Sequence, residues 1–530
     1  MTSQKAKFTP NKLIWVILIV QLAVCIFVGF QKQGYHFDEM LAYYLANCNS
    51  ETAIATGESL CDEWLEPSDF MNSIEVLPGH RFDYISVYRN ETNNVHPPLF
   101  YALLHTVCSF FPSTFSKWYG LSLNAVFLLL CTFILQRISM RLFRMQWLSL
   151  VAAAAFGFSV GAFSNFSFVR MYSLMMLLAT CLLYLHIRLY QDGYSRKLII
   201  LIAACVFLGV MTHYYFIILT CFLAFFFTIV LLREKNFKTV KAYVLSVLGA
   251  GAACCLIYPA MLKHIFSGYR GTQAFEKFSV TDNLLADYKT VFETINGQLF
   301  GDILQYVLLA ALLAILTKFI IALSGKGRDL HLMKDSNTPL LLILALTAVS
   351  YFLIVAKVSP YLADRYFFAI YPIGVVLVTY LLYYVIGLFI KNKALIFSGV
   401  LISMALMTAL SYNNHEIAYQ YSEDKDVYAT MELYDSYDCV VAMKTSTNYK
   451  VRSIITFLSK FDSIFVLNAG DPDTSLESID ESHVLTDKLI VFVEQSVEQG
   501  PILQAFLENL DFQQYTQLQS TGYFSVYLFE

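Results

Sequence analysis

The chain has 530 residues, of which 57% are hydrophobic and only 14% charged, roughly half the charged share of a soluble domain. That excludes a single soluble globule, and it excludes disorder, which needs few apolar residues and many charges. The net charge of −4 hides a division: residues 413–530 hold 19 acids against 6 bases, whereas residues 1–412 hold 21 acids against 30 bases. No basic cluster lies outside short connections, so nucleic acid is not an expected partner.

A membrane-crossing helix needs about 20 mostly apolar residues. In chain order the candidate spans are Leu13–Phe30, Trp118–Gln136, Leu148–Phe163, Leu174–Leu189, Leu198–Met211, Phe216–Leu232, Tyr243–Met261, Ile303–Leu323, Leu340–Ala356, Tyr366–Ile390 and Leu395–Leu410, about eleven in all. No small-x-small cleavage site follows the first, so it is expected to stay as a helix rather than leave as a signal peptide. Leu99–Phe111 is apolar but short. If it does not cross, 19 Lys and Arg fall in six segments on one side, among them Arg137, Arg141 and Arg144 and then Arg233, Lys235, Lys238 and Lys241. The short connections on the other side carry only Arg170, Lys357 and Arg365. Basic loops stay in the cytoplasm. Leu99–Phe111 is therefore read as a helix lying in the outer interface, with the N-terminus cytoplasmic. Residues 31–117, residues 263–302 and the chain after about 412 are then external.

The organisation expected is an α-helical polytopic membrane domain over residues 1–412, in a plasma membrane, followed by an external α/β domain over 413–530. In that last part Cys439–Met443, Ile464–Leu467 and Leu489–Val493 read as strands and Arg452–Lys460 and Ile502–Leu510 as helices. Phe512–Leu518 and Tyr523–Phe529 read as a closing hairpin. Cys48 and Cys61 share the first external loop and could pair in an oxidising compartment. Asn90-Glu91-Thr92 is a glycosylation sequon.

Under this topology the unusual polar residues gather on the external face: Asp38-Glu39 after the first span, His96-Pro97-Pro98 before the interfacial helix, Arg170-Met171-Tyr172, Thr212-His213-Tyr214-Tyr215 and Asp364-Arg365-Tyr366. Each has a plainer reading alone. An Arg can snorkel, an acidic pair can be solvated, a His-Tyr-Tyr run can sit in an aromatic belt, and Pro is favoured at a helix start. Ionisable groups at membrane depth are costly, however, and usually face a cavity, and five clusters on one face suggest one cavity. Such a set suits joining a lipid phosphate to an acceptor: a carboxylate as general base, Arg and His on a phosphate, and Tyr rings against a sugar or isoprenoid. Asp38 and Glu39 could also hold a divalent cation, Mg or Mn.

In these residues the sequence resembles the GT-C glycosyltransferases, in the bacterial branch related to protein O-mannosyltransferases and the lipid A aminoarabinose transferase. The family pattern runs as an acidic pair, His-Pro-Pro, Arg-x-Tyr, Thr-His-Tyr and a late Arg-Tyr. Its order is matched by Asp38-Glu39, His96-Pro97-Pro98, Arg170-Met171-Tyr172, Thr212-His213-Tyr214 and Arg365-Tyr366, across roughly residues 10–390. The resemblance implies transfer of a hexosyl or pentosyl group, with inversion, from a polyprenyl-phosphate sugar to an external acceptor, whether glycan, lipid, teichoic acid or protein. It implies Asp38 as catalytic base or as the group that orients the acceptor, Glu39 as its support or a metal ligand, and Arg170, His213 and Arg365 on the leaving phosphate. Tyr172, Tyr214 and Tyr366 belong to the same binding set. His96 stands where the aminoarabinose branch has a Lys, and would contact donor phosphate or acceptor. An outer-leaflet polysaccharide ligase or polymerase, and a transporter or flippase for a lipid-linked sugar, are the competing readings. The first would want its large external loop late in the membrane domain, and the second would want ionisable groups at the midplane of several spans.

Overall fold

The computed structural model describes residues 12–53, 60–280, 282–323, 337–472, 475–476, 479, 485–510 and 512–530. The helices in chain order are α1 Lys12–Gln31, α2 Phe37–Asn47, α3 Pro67–Met71, α4 Tyr84–Thr92, α5 Leu99–Ser109, α6 Lys117–Phe143, α7 Gln146–Gly157, α8 Val160–Ser167, α9 Tyr172–Asp192, α10 Arg196–Val210 and α11 Tyr215–Arg233. They continue as α12 Phe237–Ile257, α13 Ala260–Phe266, α14 Tyr269–Ser279, α15 Leu284–Phe300, α16 Leu304–Leu323, α17 Thr338–Val358, α18 Tyr371–Phe389, α19 Lys393–Asn414, α20 Asp424–Leu433, α21 Ile455–Leu458 and α22 Gln499–Asn509.

Among the described residues nine helices are long and apolar enough to cross a membrane. They are α1, α6, α9, α11, α12, α16, α17, α18 and α19. The expected span Leu148–Phe163 is instead two helices, α7 and α8, bent by 49°. Ser159 makes the break: its hydroxyl caps α8 by accepting from Ala162 N, so the backbone freed at the bend is satisfied locally. The expected span Leu198–Met211 is α10, with 15 residues. Tyr366–Ile390 is also shortened, because residues 364–370 form two 3-10 turns and α18 begins only at Tyr371. Leu99–Phe111 is the 11-residue α5, about 16 Å long at 1.5 Å per residue, too short to cross.

Helix faces explain the assembly. α1 buries only Ile14, Leu18, Gln21, Cys25, Val28 and Gly29, a stripe recurring every three or four residues, and leaves Trp15, Ile19, Phe27 and Phe30 exposed. Gln21 is the polar residue on the stripe. Its side-chain amide donates to Thr132 Oγ1 and to the Gly157 carbonyl, tying α1 to α6 and α7 as polar groups do between helices in lipid. α9 is central, with 78% of its apolar window inside the protein. At Gly120 of α6 a Cβ would collide with Val169, so glycine lets α6 approach the short segment between α8 and α9.

The remaining strands form one sheet from β1 Trp64–Leu65, β2 Asp438–Met443, β3 Ile464–Asn468, β4 Leu489–Glu494, β5 Tyr515–Gln517 and β6 Phe524–Phe529, in the order β1-β3-β2-β4-β6-β5. β3, β2 and β4 are parallel, and β6 and β5 add antiparallel. The edge strand β1 comes from residues 31–117 and pairs antiparallel with β3, Trp64 opposite Phe465. Strand alternation divides the residues. Val440, Phe465 and Val491 face a small core with Ile502 and Phe506 of α22. Val441, Val466 and Phe492 face a core continuous with that of the helical bundle.

The connection from α19 to the sheet is an ordered seam. Ala418 N donates to Ser164 Oγ and Gln33 N to the Gln420 carbonyl. Tyr419 and Tyr421 both have positive φ, 65° and 49°, a conformation uncommon outside glycine. Cys48 is a free thiol whose Sγ donates to the Asn49 carbonyl, so the Cys48–Cys61 bond is not formed. Asn90 of the sequon donates its amide to the Leu45 and Cys48 carbonyls, which leaves the nitrogen engaged as a helix tie.

Candidate active site at the head of the helical bundle

One cavity of about 790 Å³ gathers residues from almost the whole chain. Asp38, His96, Arg170, Tyr172, His213, Tyr214, Arg365 and Tyr366 all line it, and Glu39 does not.

Asp38 is held by a helix start. His36 caps α2: its Nδ1 accepts from Asp38 N at 3.0 Å, and Glu39 Oε2 accepts from His36 N at 2.8 Å, a reciprocal box. Asp38 therefore sits in the first turn, where the helix dipole favours an anion. Its Oδ2 lies 3.7 Å from His36 Nδ1 and 3.6 Å from Arg365 Nη2. Burial pushes the Asp38 carboxyl up, but Arg170, His36, Arg365 and Arg270 outweigh it and hold the group below the usual range. Burial lowers His36 to about 4. It is thus neutral near pH 7, and with Nδ1 accepting, its proton is on Nε2.

Glu39 turns the other way. It is fully buried, as is its partner Lys32, whose Nζ donates to Oε2 at 3.0 Å and to the Tyr419 carbonyl at 2.7 Å. Glu39 Oε1 accepts from Val169 N at 2.8 Å, beside Arg170. The sequence reading that gave Glu39 a share of the chemistry, or of a metal with Asp38, is met by a geometry in which the two carboxylates do not converge. Among the described residues no group of three His, Cys, Asp or Glu side chains could hold a cation. The residues present do not fit a hard divalent ion, which wants several oxygen ligands, and no step below runs through one. Glu39→Gln is expected to destabilise the protein by about 3–5 kcal/mol, because it strands Lys32 as a buried unpaired charge. Lys32→Met added to Glu39→Gln should recover much of that loss. Thermal unfolding of the three proteins in nanodiscs checks both.

Two motifs meet through backbone. Leu99 N, after His96-Pro97-Pro98, donates to the Met211 carbonyl just before Thr212-His213, and the His96 and His213 rings stand 5.7 Å apart. His213 Nδ1 accepts from Tyr215 N. Burial lowers His213 to about 3, so it is neutral and its proton is on Nε2. Burial likewise holds His96 well below its usual value. Tyr172 packs 5.4 Å from His213 and 6.0 Å from Tyr366. Tyr214 donates to His264 Nδ1 at 2.8 Å, and His264 Nε2 donates to the Thr92 carbonyl at 3.1 Å, a relay that locks α13 to α11 and α4.

Arg170 is the least satisfied group. It is 2% exposed, lies 5.7 Å over the Tyr101 ring, and its Nε and Nη1 have no hydrogen-bond partner. Arg365 Nε is also unpartnered, over Phe168 and Tyr366. A buried cation with open donors costs free energy unless an anion arrives. With Arg270, three guanidiniums face the single carboxylate of Asp38 in this cavity.

Tyr215, from the same sequence cluster as His213, also lines the cavity, and the rest of the lining was not singled out from sequence. His36 adjoins the acidic pair, and Arg270 lies on the amphipathic α14 within residues 263–302. Tyr449, Lys450 and Tyr523 come from the C-terminal part and carried no local signal. Ile217 and Ile218 of α11, Val358 and α14's Ala274, Phe275 and Phe278 make an apolar flank, and Phe275 and Phe278 are also exposed outward.

No family model and no curated protein matches the chain. Solved structures similar in fold include ArnT from Cupriavidus metallidurans in the apo state, with 12% identity, TM-score 0.44 and 97% of each chain covered. The apo oligosaccharyltransferase of Archaeoglobus fulgidus aligns with 12% identity and TM-score 0.45, over 99% of this chain and 75% of that one. The archaeal oligosaccharyltransferase AglB from Archaeoglobus fulgidus, in complex with an inhibitory peptide and a dolichol-phosphate, aligns with 12% identity and TM-score 0.44, over 97% of this chain and 74% of that one. ArnT and AglB both belong to the GT-C superfamily.

Proposed function

We propose that this chain is an integral membrane glycosyltransferase of the GT-C type, moving a hexosyl or pentosyl group from a polyprenyl-phosphate donor to a hydroxyl acceptor at the external face. The observation that carries the reading is the buried Arg170 guanidinium, its donors open, in the same cavity as a carboxylate held ionised. Arg170 and Arg365 would grip the phosphate, with His213 offering its Nε2–H. The apolar flank of α11, α14 and α17 would take the first isoprene units. The acceptor hydroxyl gives its proton to Asp38, and its oxygen attacks the anomeric carbon. The carbon–oxygen bond to phosphate breaks with inversion, and its electron pair stays on the phosphate oxygen. The donor phosphodiester carries one charge and the departing phosphate up to two. The surplus of two guanidiniums over Asp38 therefore stabilises the leaving group more than the bound donor, as catalysis requires. Orientation follows the basic connections, with the N-terminus cytoplasmic and the cavity and sheet outside.

The test is turnover of polyprenyl-phosphate sugars by the purified protein in nanodiscs, together with mass spectrometry of the lipid-linked sugars that build up in cells lacking it. Unchanged lipid-linked sugars in those cells, with no turnover in vitro, would overturn the reading. The pH profile is also specified. Asp38 must be ionised and its carboxyl is held low, while His36 and His213 are neutral well above about 4 and 3. The rate should hold level between about pH 5 and 7, where an ordinary histidine would titrate, and fall only at more acid pH. A histidine-like limb near pH 6.5 would contradict the assignment.

A further inference from the structure

The roof of the cavity differs from its flank. Phe37 stands between two tyrosines of the C-terminal part, with its ring 6.0 Å from Tyr449 at 65° and 6.0 Å from Tyr523 at 86°. Tyr361 joins them on the cavity wall. Three of these rings remain open: Tyr361 is 52%, Tyr449 42% and Tyr523 39% exposed. Tyr523 lines the same cavity as Asp38 and packs on Phe37, the residue before Asp38 in the chain. Lys450 lies 5.6 Å over the Tyr523 ring, yet its charge is already matched by the buried Glu494. Around Phe37, Tyr449 and Tyr523 the wall is thus aromatic and its cation, Lys450, is neutralised, whereas Arg270 lies 5.1 Å over the Tyr361 ring and belongs with the cationic set of Arg170 and Arg365.

We infer that the part of this roof made by Phe37, Tyr449 and Tyr523 is the acceptor subsite, and that it takes an uncharged glycan whose ring lies on the tyrosine faces and presents a hydroxyl to Asp38. The inference rests on the transferase reading and adds the class of acceptor. A sugar ring has apolar C–H faces that fit an aromatic plane and a hydroxyl rim that fits phenol oxygens. An anionic lipid headgroup would find Lys450 already neutralised. The sheet domain then has a role in the reaction: it carries two of the three rings to the base.

Binding measured directly separates this inference from the donor reading. The probes are neutral trisaccharides (maltotriose, cellotriose, mannotriose, chitotriose), observed by saturation-transfer NMR on the full chain in nanodiscs, and a polyprenyl phosphate, observed by calorimetry. At least one trisaccharide should bind the wild type. Tyr449→Ala and Tyr523→Ala should each weaken it about tenfold, the scale of one lost aromatic contact, while Tyr449→Phe and Tyr523→Phe keep most of the affinity. Affinity for the polyprenyl phosphate should be unchanged in all four variants, which also shows that they fold. Trisaccharide affinity unaltered in both Ala variants would overturn the subsite. So would failure of all four trisaccharides to bind a wild type that binds polyprenyl phosphate. Failure of the wild type to bind polyprenyl phosphate would instead sink the transferase reading, and the acceptor assignment with it.

Discussion

Asp38→Asn should lose transfer by about 10²- to 10⁴-fold, the share a positioned general base contributes, and should still insert and fold. The side chain is 24% exposed and its contact with Arg365 is long, at 3.6 Å, so the isosteric amide replaces it at a modest cost in stability. His36 caps α2 through the backbone N–H of residue 38, and that bond survives the change. Removing the carboxylate also leaves the guanidiniums of Arg170, Arg365 and Arg270 unopposed. Donor affinity should therefore stay level or rise while kcat falls, a division a misfolded protein would not show. Turnover assays paired with calorimetry of polyprenyl-phosphate binding read both numbers. A variant that turns over like the wild type would remove Asp38 from the base role.

Arg170→Met carries the second large effect, in two directions. Turnover should drop by about 10²- to 10³-fold, the scale of a lost charge-stabilising donor, and polyprenyl-phosphate affinity should drop with it. Stability without ligand should hold or increase. The guanidinium is 2% exposed with two nitrogens unpartnered, so methionine removes a desolvated charge while filling similar space. A ligand that binds only the folded state raises Tm. Polyprenyl phosphate should accordingly raise Tm of the wild type and leave Arg170→Met almost unmoved. An equal rise in both would show that the phosphate binds elsewhere.

Much of the site could be read from the sequence because it is built from misfits. Arg170, His213 and Arg365 interrupt or end long apolar runs, where a charge or imidazole is expensive, and that cost marks them without knowledge of the fold. Asp38 and Glu39 show where such reading stops. Adjacent residues on a helix point about 100° apart, so two neighbouring acids can have opposite fates. Which one faces the cavity depends on Lys32 and Val169 N being there to receive the other. The 3-10 turns over residues 364–370 were hidden for a related reason. Apolar composition continues through Phe367–Ile370, and only packing shows that the helix starts at Tyr371.

Composition and charge placement by themselves determined a bundle of apolar helices with an α/β tail and a polar set at one end, because burying apolar surface and excluding charge from lipid are local costs. What only the tertiary structure decided is long-range. The strand at Trp64–Leu65 completes a sheet whose other strands lie hundreds of residues later. The seam at Tyr419 receives Lys32. Tyr449 and Tyr523 come to line the same cavity as Asp38. None of these leaves a periodic or compositional trace. Pairing across such separations is selected by shape and hydrogen-bond complementarity once the chain has folded, and single residue types do not encode it.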